Sequence, residues 1–344
     1  MLFSHSEARA FETDQYNLPP KTLADIGDEV SQQVAEKLGK AVEEINAEIS
    51  KRQICLAKEG QRERGCGSQE EERARLAYLR SNEVVAHAAY QRLGAGVLPF
   101  TKMGTWMDSH HFQQQPARYR TSYWKSIFIF MPHIAFTISP TVRMYGSEFG
   151  TDKIAHFFQQ GYTYYQIYNR ALSEGAGLDE AERKAIRWGQ KSERTFFGTW
   201  ISGVYSNADL FANYAGMKFY QGLTDELKIN GTKRPPVLVL KDGQWTFNED
   251  AQQSLLKSFI SNHLNEALNP SIFTEFFGLR SWVRRTVRKR SCKQWLDRYP
   301  GLSQVGVDED SQALRLWYGE DYGFTASDNF ITIANTCFEN QVGD

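Results

Sequence analysis

"TDKIAHFFQQGYTYY", residues 151–165, decides how this chain is read. The stretch opens as a helix. At helical spacing Asp152, His156 and Gln160 fall on one face, among Phe157, Phe158, Tyr162, Tyr164 and Tyr165. A polar stripe through so aromatic a helix is costly to bury unless its groups pair or bind something. Two later helices repeat the pattern. One is predicted to start near Asp179, where "DEAE" supplies a capping signal, and its Ile186, Gly189, Glu193, Phe197 and Trp200 share a face. The other is predicted from Ser206, with "SNAD" as a capping box. There Asp209, Asn213, Gly216 and Tyr220 form one stripe, and Leu210, Tyr214 and Met217 form the packing side.

Each polar residue also has a structural reading. Asp152 suits an N-cap, Asp209 the second half of a capping box, Gly216 a close helix contact, and His156 a core histidine bonded to a carbonyl. Taken together, the three stripes predict that His156, Glu193, Asp209 and Asn213 converge as a catalytic cluster, with Lys153 and Gln160 as substrate-binding groups at its edge. A histidine with two carboxylates and an amide performs general acid–base chemistry or holds a divalent cation. The sequence leaves the choice of metal open.

Outward from this centre, "LADIGDEVSQQVAEKLGKAVEEINAEI" places Val30, Val34, Leu38, Val42 and Ile45 at helical spacing. A charged, glycine-containing hinge follows, then a helix running to about Leu93 with Gly94 as its stop. "VLVLKDGQWTFN" carries the Asp-Gly signal of a two-residue hairpin. A helix is expected after Asn248, with Leu255, Leu256, Phe259, Ile260 and Leu264 on one side. A further helix is expected to be capped by Asn269-Pro270 and to lead into the basic run "RSWVRRTVRKR" from Arg280. The predicted class is mainly α, a helical core with a small β-hairpin. Its organisation reads as residues 1–20 (remnant of a signal segment and extension), 21–97 (helical), 98–225 (aromatic core with the polar site) and 226–344 (hairpin, helices and tail).

With 344 residues, a net charge of −1 and 13% aromatic residues, the chain has the means for a substantial core. Nothing in its charge suggests nucleic-acid binding. No window is long and apolar enough for a membrane span; "SIFIFMPHIAFTIS" from Ser126 is the best candidate and reads as buried core. Ala8-Arg9-Ala10 has the small-x-small pattern that ends a secretory signal, so export is the expectation and a cytoplasmic setting the alternative. The four cysteines lack a CxxC spacing and so do not suggest structural zinc, and their pairing is open. Asp108, His110 and His111 form a weak metal candidate, "NGT" at Asn230 a chance glycosylation match, and His263 and Glu266 a solvated or capping pair. The basic run reads as a solvated face, with an anionic membrane surface as the alternative.

Asp152, Lys153 and His156, then Glu193, then Asp209, Leu210, Asn213 and Gly216 resemble the motifs of the VanZ-like group and the related YfiM-like lipoproteins. The likeness covers roughly a fifth of the chain. VanZ-like proteins cross the membrane several times, and this chain has no such spans. The resemblance implies a cell-envelope or periplasmic setting and a shared polar cluster, and supplies no reaction. The functional expectation is an envelope-associated helical protein whose buried His/Glu/Asp/Asn site hydrolyses or transfers an envelope lipid or glycan. The alternative is a non-catalytic envelope scaffold or lipid-binding protein whose cluster is structural.

Overall fold

The computed structural model describes residues 12–57, 65–96, 101–129, 131, 138–195, 198–199, 203–248, 255–275 and 278–338. Helix α1, Gly27–Ala57, buries Val30, Val34, Leu38, Val42, Ile45 and Ile49. The single helix expected up to Leu93 is two, α2 (Gln69–Leu79) and α3 (Asn82–Leu93). The break falls at Ser81, whose hydroxyl donates back to the Tyr78 carbonyl. Short α4 (Lys102–Ser109) leads into a three-stranded antiparallel sheet of 118–119, 141–144 and 147–150.

That sheet delivers the chain into α5, Thr151–Ala155. A π-helical turn, His156–Gln160, and α6, Gly161–Ser173, continue the same rod. A π-turn leaves the backbone ladder out of step and is common at functional sites. Here the Tyr220 hydroxyl donates to the Phe158 carbonyl (2.8 Å). Helices α7 (Leu178–Glu193) and α8 (Asn207–Gln221) pack against α6. The α6–α8 crossing is glycine to glycine: a Cβ on Gly216 would lie 2.0 Å from the Phe157 carbonyl oxygen, and one on Gly161 2.6 Å from the Gly216 Cα. The chain ends in α9 (Leu279–Thr286), a second π-turn, α10 (Cys292–Arg298), α11 (Gln304–Ala313) and α12 (Ile333–Cys337).

The helix-rich class holds, but one small hairpin understates the β content: the described residues form twelve strands in five small sheets. The expected hairpin is Leu238–Lys241 with Gln244–Phe247. Its Asp242 and Gly243 both take positive φ (53° and 78°), as a type I′ turn requires. "NGT" forms a second such hairpin, with Asn230 and Gly231 at φ 51° and 74°. Among the described residues the helix expected after Asn248 is absent, and the one expected from Asn269-Pro270 starts later, as α9. Leu255, Leu256, Phe259, Ile260 and Leu264 are buried as expected, but around 3-10 turns at Lys257–Phe259 and Asn262–Leu264. Asn269-Pro270 leads into the strand Ser271–Phe273, which pairs with Val204–Ser206. The apolar periodicity there reported burial rather than helix.

Two apolar clusters fill the interior. The larger gathers α1, α3, α6 and α8 around Phe157, Phe158, Tyr164, Phe211 and Tyr220. The smaller contains Tyr16, Phe128, Ile138, Val204, Val283, Val287 and Trp295. Tyr205 belongs to the first and Val204 to the second; Leu264 to the first and Ala267 to the second. Ser206 and Glu266 therefore lie on the seam between the two cores. Ala8–Ala10, Phe197, Trp200 and residues 132–137 of the apolar stretch lie outside the described residues.

Candidate functional site

The seam holds a dense group of buried charges. Lys153 is 0% exposed, and its Nζ lies 2.6 Å from Asp152 Oδ2, 2.5 Å from Asp209 Oδ1 and 2.5 Å from Glu266 Oε1. Asp152 is not the N-cap of α5; Gly150 holds that position. The other Asp152 oxygen accepts from the Thr13 hydroxyl (2.5 Å). Thr13 and Glu12 arrive on a short strand that pairs parallel with Ile138–Ser139. Glu266 Oε1 also accepts from the Ser206 hydroxyl (3.0 Å). Ser206 in turn caps α8 by accepting from the Asp209 amide (3.1 Å). The expected capping box is thus half real: its serine caps, and its acid turns inward.

On the other side of Asp209 lies His156. Its Nδ1 donates to Asn213 Oδ1 (3.1 Å). An amide oxygen only accepts, so Nδ1 carries a proton, and Nε2 is the ring nitrogen that this bond leaves unused. Nε2 stands 3.8 Å from Asp209 Oδ2, too far for a hydrogen bond. Glu193 completes this side, as the last residue of α7. It is 1% exposed, and neither carboxylate oxygen makes a well-formed hydrogen bond among the described residues; the Ser206 amide is the polar group turned toward it. No arginine closes an ion pair with it among those residues. A side chain at Gly198 would come within 2.8 Å of Glu193 Oε2, so the chain after α7 folds directly over the carboxylate.

The electrostatics follow from this burial. Desolvation and then the Asp209 charge push Glu193 well above the ordinary carboxylate range, with Lys153 and the Ser206 amide pulling weakly the other way. Glu12 is raised by burial and by Glu266. Burial pushes Glu266 up to about 7 against the pull of Lys153. Asp209 is the exception: burial raises it, but the nearby His156 and Lys153 leave it lowered overall. Lys153 loses from burial and gains more from Asp152, Asp209, Glu266 and Glu12, ending well above its usual value.

His156, Glu193, Asp209 and Asn213 thus come together, the first three with ligand atoms all within 4.8 Å of one another. Lys153, expected at the edge, sits at the centre of the ionic group. Gln160 is buried one turn past His156 with its Oε1 unpartnered among the described residues, and no described contact joins it to the cluster. Glu266, read from sequence as solvated, is 3% exposed inside it. Glu12 and Thr13 carried no sequence signal at all. His110 is spent on Glu29 (2.8 Å) and stacks on Trp106 at 4.3 Å, which removes it from any metal cluster with His111. The cysteines are all paired, Cys55–Cys66 and Cys292–Cys337.

No family model, curated protein or solved structure matches the chain. What the cluster does has to be argued from its own chemistry.

Proposed function

We propose that the protein is an exported, envelope-associated enzyme that holds a divalent cation between His156, Glu193 and Asp209 and uses it to hydrolyse or transfer an envelope lipid or glycan. The observation that carries this reading is Glu193, a fully buried carboxylate with no ion pair and no well-formed hydrogen bond among the described residues, placed against a histidine and a second carboxylate. A group of this kind is expensive to bury without a partner. Ligand atoms around an ion at roughly 2.1–2.4 Å stand at most about 4.2–4.8 Å apart, and the three groups meet that limit. Asn213 supplies the supporting hydrogen bond that ligating histidines usually have on their other nitrogen. The cation would polarise a substrate oxygen or activate water.

The exported setting rests on the two disulfides, which persist in oxidising compartments, together with the VanZ-like and YfiM-like resemblance of the motif. No described helix is long and apolar enough to cross a membrane. The basic run could meet an anionic surface only through its charges. Val283 and Val287 are spent on the second core, and Arg285, Arg288, Lys289 and Arg290 stay exposed.

One feature favours the non-catalytic scaffold instead. Lys153 is satisfied by three carboxylates and ties α5, α8 and the 262–266 turn together without any ligand. Thermal melts of chelator-treated protein with added Zn2+, Mn2+ or Ca2+ separate the two. A rise in Tm that is lost in Glu193→Gln supports the cation site. No response to any of the three ions, with the variant as stable as wild type, overturns it and leaves the scaffold.

A further inference from the structure

Beside the proposed ion lies a second cluster with the same geometry. The ligand oxygens of Glu12, Asp152 and Glu266 also lie within 4.8 Å of one another. We infer that this cluster is a second cation site whose resident cation is the Lys153 ammonium, so that the carboxylate framework has places for two positive centres and supplies one of them itself. The inference extends the cation reading above, and the two can fail separately.

Three observations carry it. The first is an excess of acid. An ammonium has three N–H donors, and the Lys153 Nζ contacts three carboxylates, Asp152, Asp209 and Glu266. Glu12 is a fourth, 4% exposed, and its Oε2 has no hydrogen-bond partner among the described residues. A structural ion pair needs one carboxylate; this shell is the size a divalent ion takes. The second is sharing. Asp209 turns Oδ1 to Lys153 and Oδ2 toward His156. A carboxylate with one oxygen on each centre is how paired metal ions are commonly bridged, and here an amine stands at one of the two places. The third is support from outside the shell. Thr13 donates to Asp152 and Ser206 to Glu266 (2.5 and 3.0 Å), so the carboxylates are aimed by groups other than the lysine. Removing the ammonium leaves the acids pointed at a common centre.

The consequence is a fixed positive charge next to the divalent ion, present whatever the metal supply. The test counts Mn2+ per chain after chelator treatment, reloading and gel filtration, in wild type, Lys153→Ala and Lys153→Met. Wild type should hold one ion. Lys153→Ala, which frees both charge and space, should hold two, and if it unfolds in chelator, Mn2+ should restore its fold. Lys153→Met, which fills the space with an apolar chain, should gain none. Counts of zero for wild type and one for Lys153→Ala would sink the His156–Glu193–Asp209 site and uphold this one. Counts of one and one, or a Lys153→Ala protein that stays unfolded at saturating Mn2+, would overturn it.

Discussion

The two oxygens of Asp209 look into two different environments. Toward Lys153, a full positive charge is matched by three carboxylates, and hydroxyls of Thr13 and Ser206 support the acids. Toward His156, the buried carboxylate of Glu193 has no ion pair and no well-formed hydrogen bond among the described residues. Both sides are equally buried, so burial alone does not tell a structural polar group from a functional one. What separates them is a resident cation. Lys153 fills the centre on its side and locks it, with Glu12 as acid to spare, whereas no described ion pair reaches Glu193, and an unpaired acid marks the place where another atom is expected.

The sharpest break of this comparison is Lys153→Met without divalent ions. It strands Asp152, Asp209 and Glu266 without their cation, and removing one partner of a buried ion pair costs about 3–5 kcal/mol. Urea denaturation reads the loss; a variant within about 1 kcal/mol of wild type would mean the lysine side is no lock. The disulfides come next. The Cys292–Cys337 bond spans 45 residues and belongs to the smaller core, and Cys55–Cys66 spans 11. Loop entropy gives roughly 4 kcal/mol for the longer loop and roughly 3 for the shorter. Replacing Cys292 and Cys337 by serine should therefore cost more than the same change at Cys55 and Cys66, as denaturation midpoints would show. Gly216→Ala should cost about 1–3 kcal/mol by overpacking, because its methyl would meet the backbone of Phe157. It should also weaken cation binding, since the same crossing aligns His156 with Asn213. Loss of stability with binding intact would show that the glycine contact does not set the site.

The sequence made one half of this arrangement legible. His156, Glu193, Asp209 and Asn213 stand on three predicted helices with ordinary 3.6 spacing, so their shared direction follows from local pattern. Even there the rod is not ideal: the π-turn at His156–Gln160 shifts the register after His156, and Gln160 leaves the cluster. The other half was hidden for a physical reason. Glu12 is carried by a two-residue strand and Glu266 by the turn after a 3-10 helix, and neither element has a period that reveals a buried face. Lys153, expected as a substrate-binding group at the edge, lies at the centre instead. Its burial depends on carboxylates 56 and 113 positions away, at Asp209 and Glu266. The Asn-Gly of the "LKINGTKR" hairpin, expected only as a chance glycosylation match, is the turn signal that could have located it.

The smallest expected effect concerns a second buried histidine. His263 has both ring nitrogens spent: Nε2 donates to the Leu316 carbonyl (3.1 Å), and Nδ1 then accepts from the Ser261 hydroxyl (3.0 Å). That is the satisfied core histidine that His156, with only Nδ1 used by Asn213, does not match. Burial pulls the His263 pKa below its usual value, with the Leu316 carbonyl opposing. The folded chain therefore keeps this ring neutral, and below the unfolded pKa of about 6.5 the unfolded chain binds more protons. Stability should fall as pH drops through that window, and His263→Gln should flatten the fall. The same variant should leave any cation-induced rise in Tm unchanged, while His156→Gln should abolish it. Melts at pH 5 and pH 8, with and without Mn2+, test both halves at once. A His263 variant that lost the cation response would mean that a histidine with both nitrogens spent serves the site as well as one with a nitrogen left over, and satisfaction would no longer separate the two.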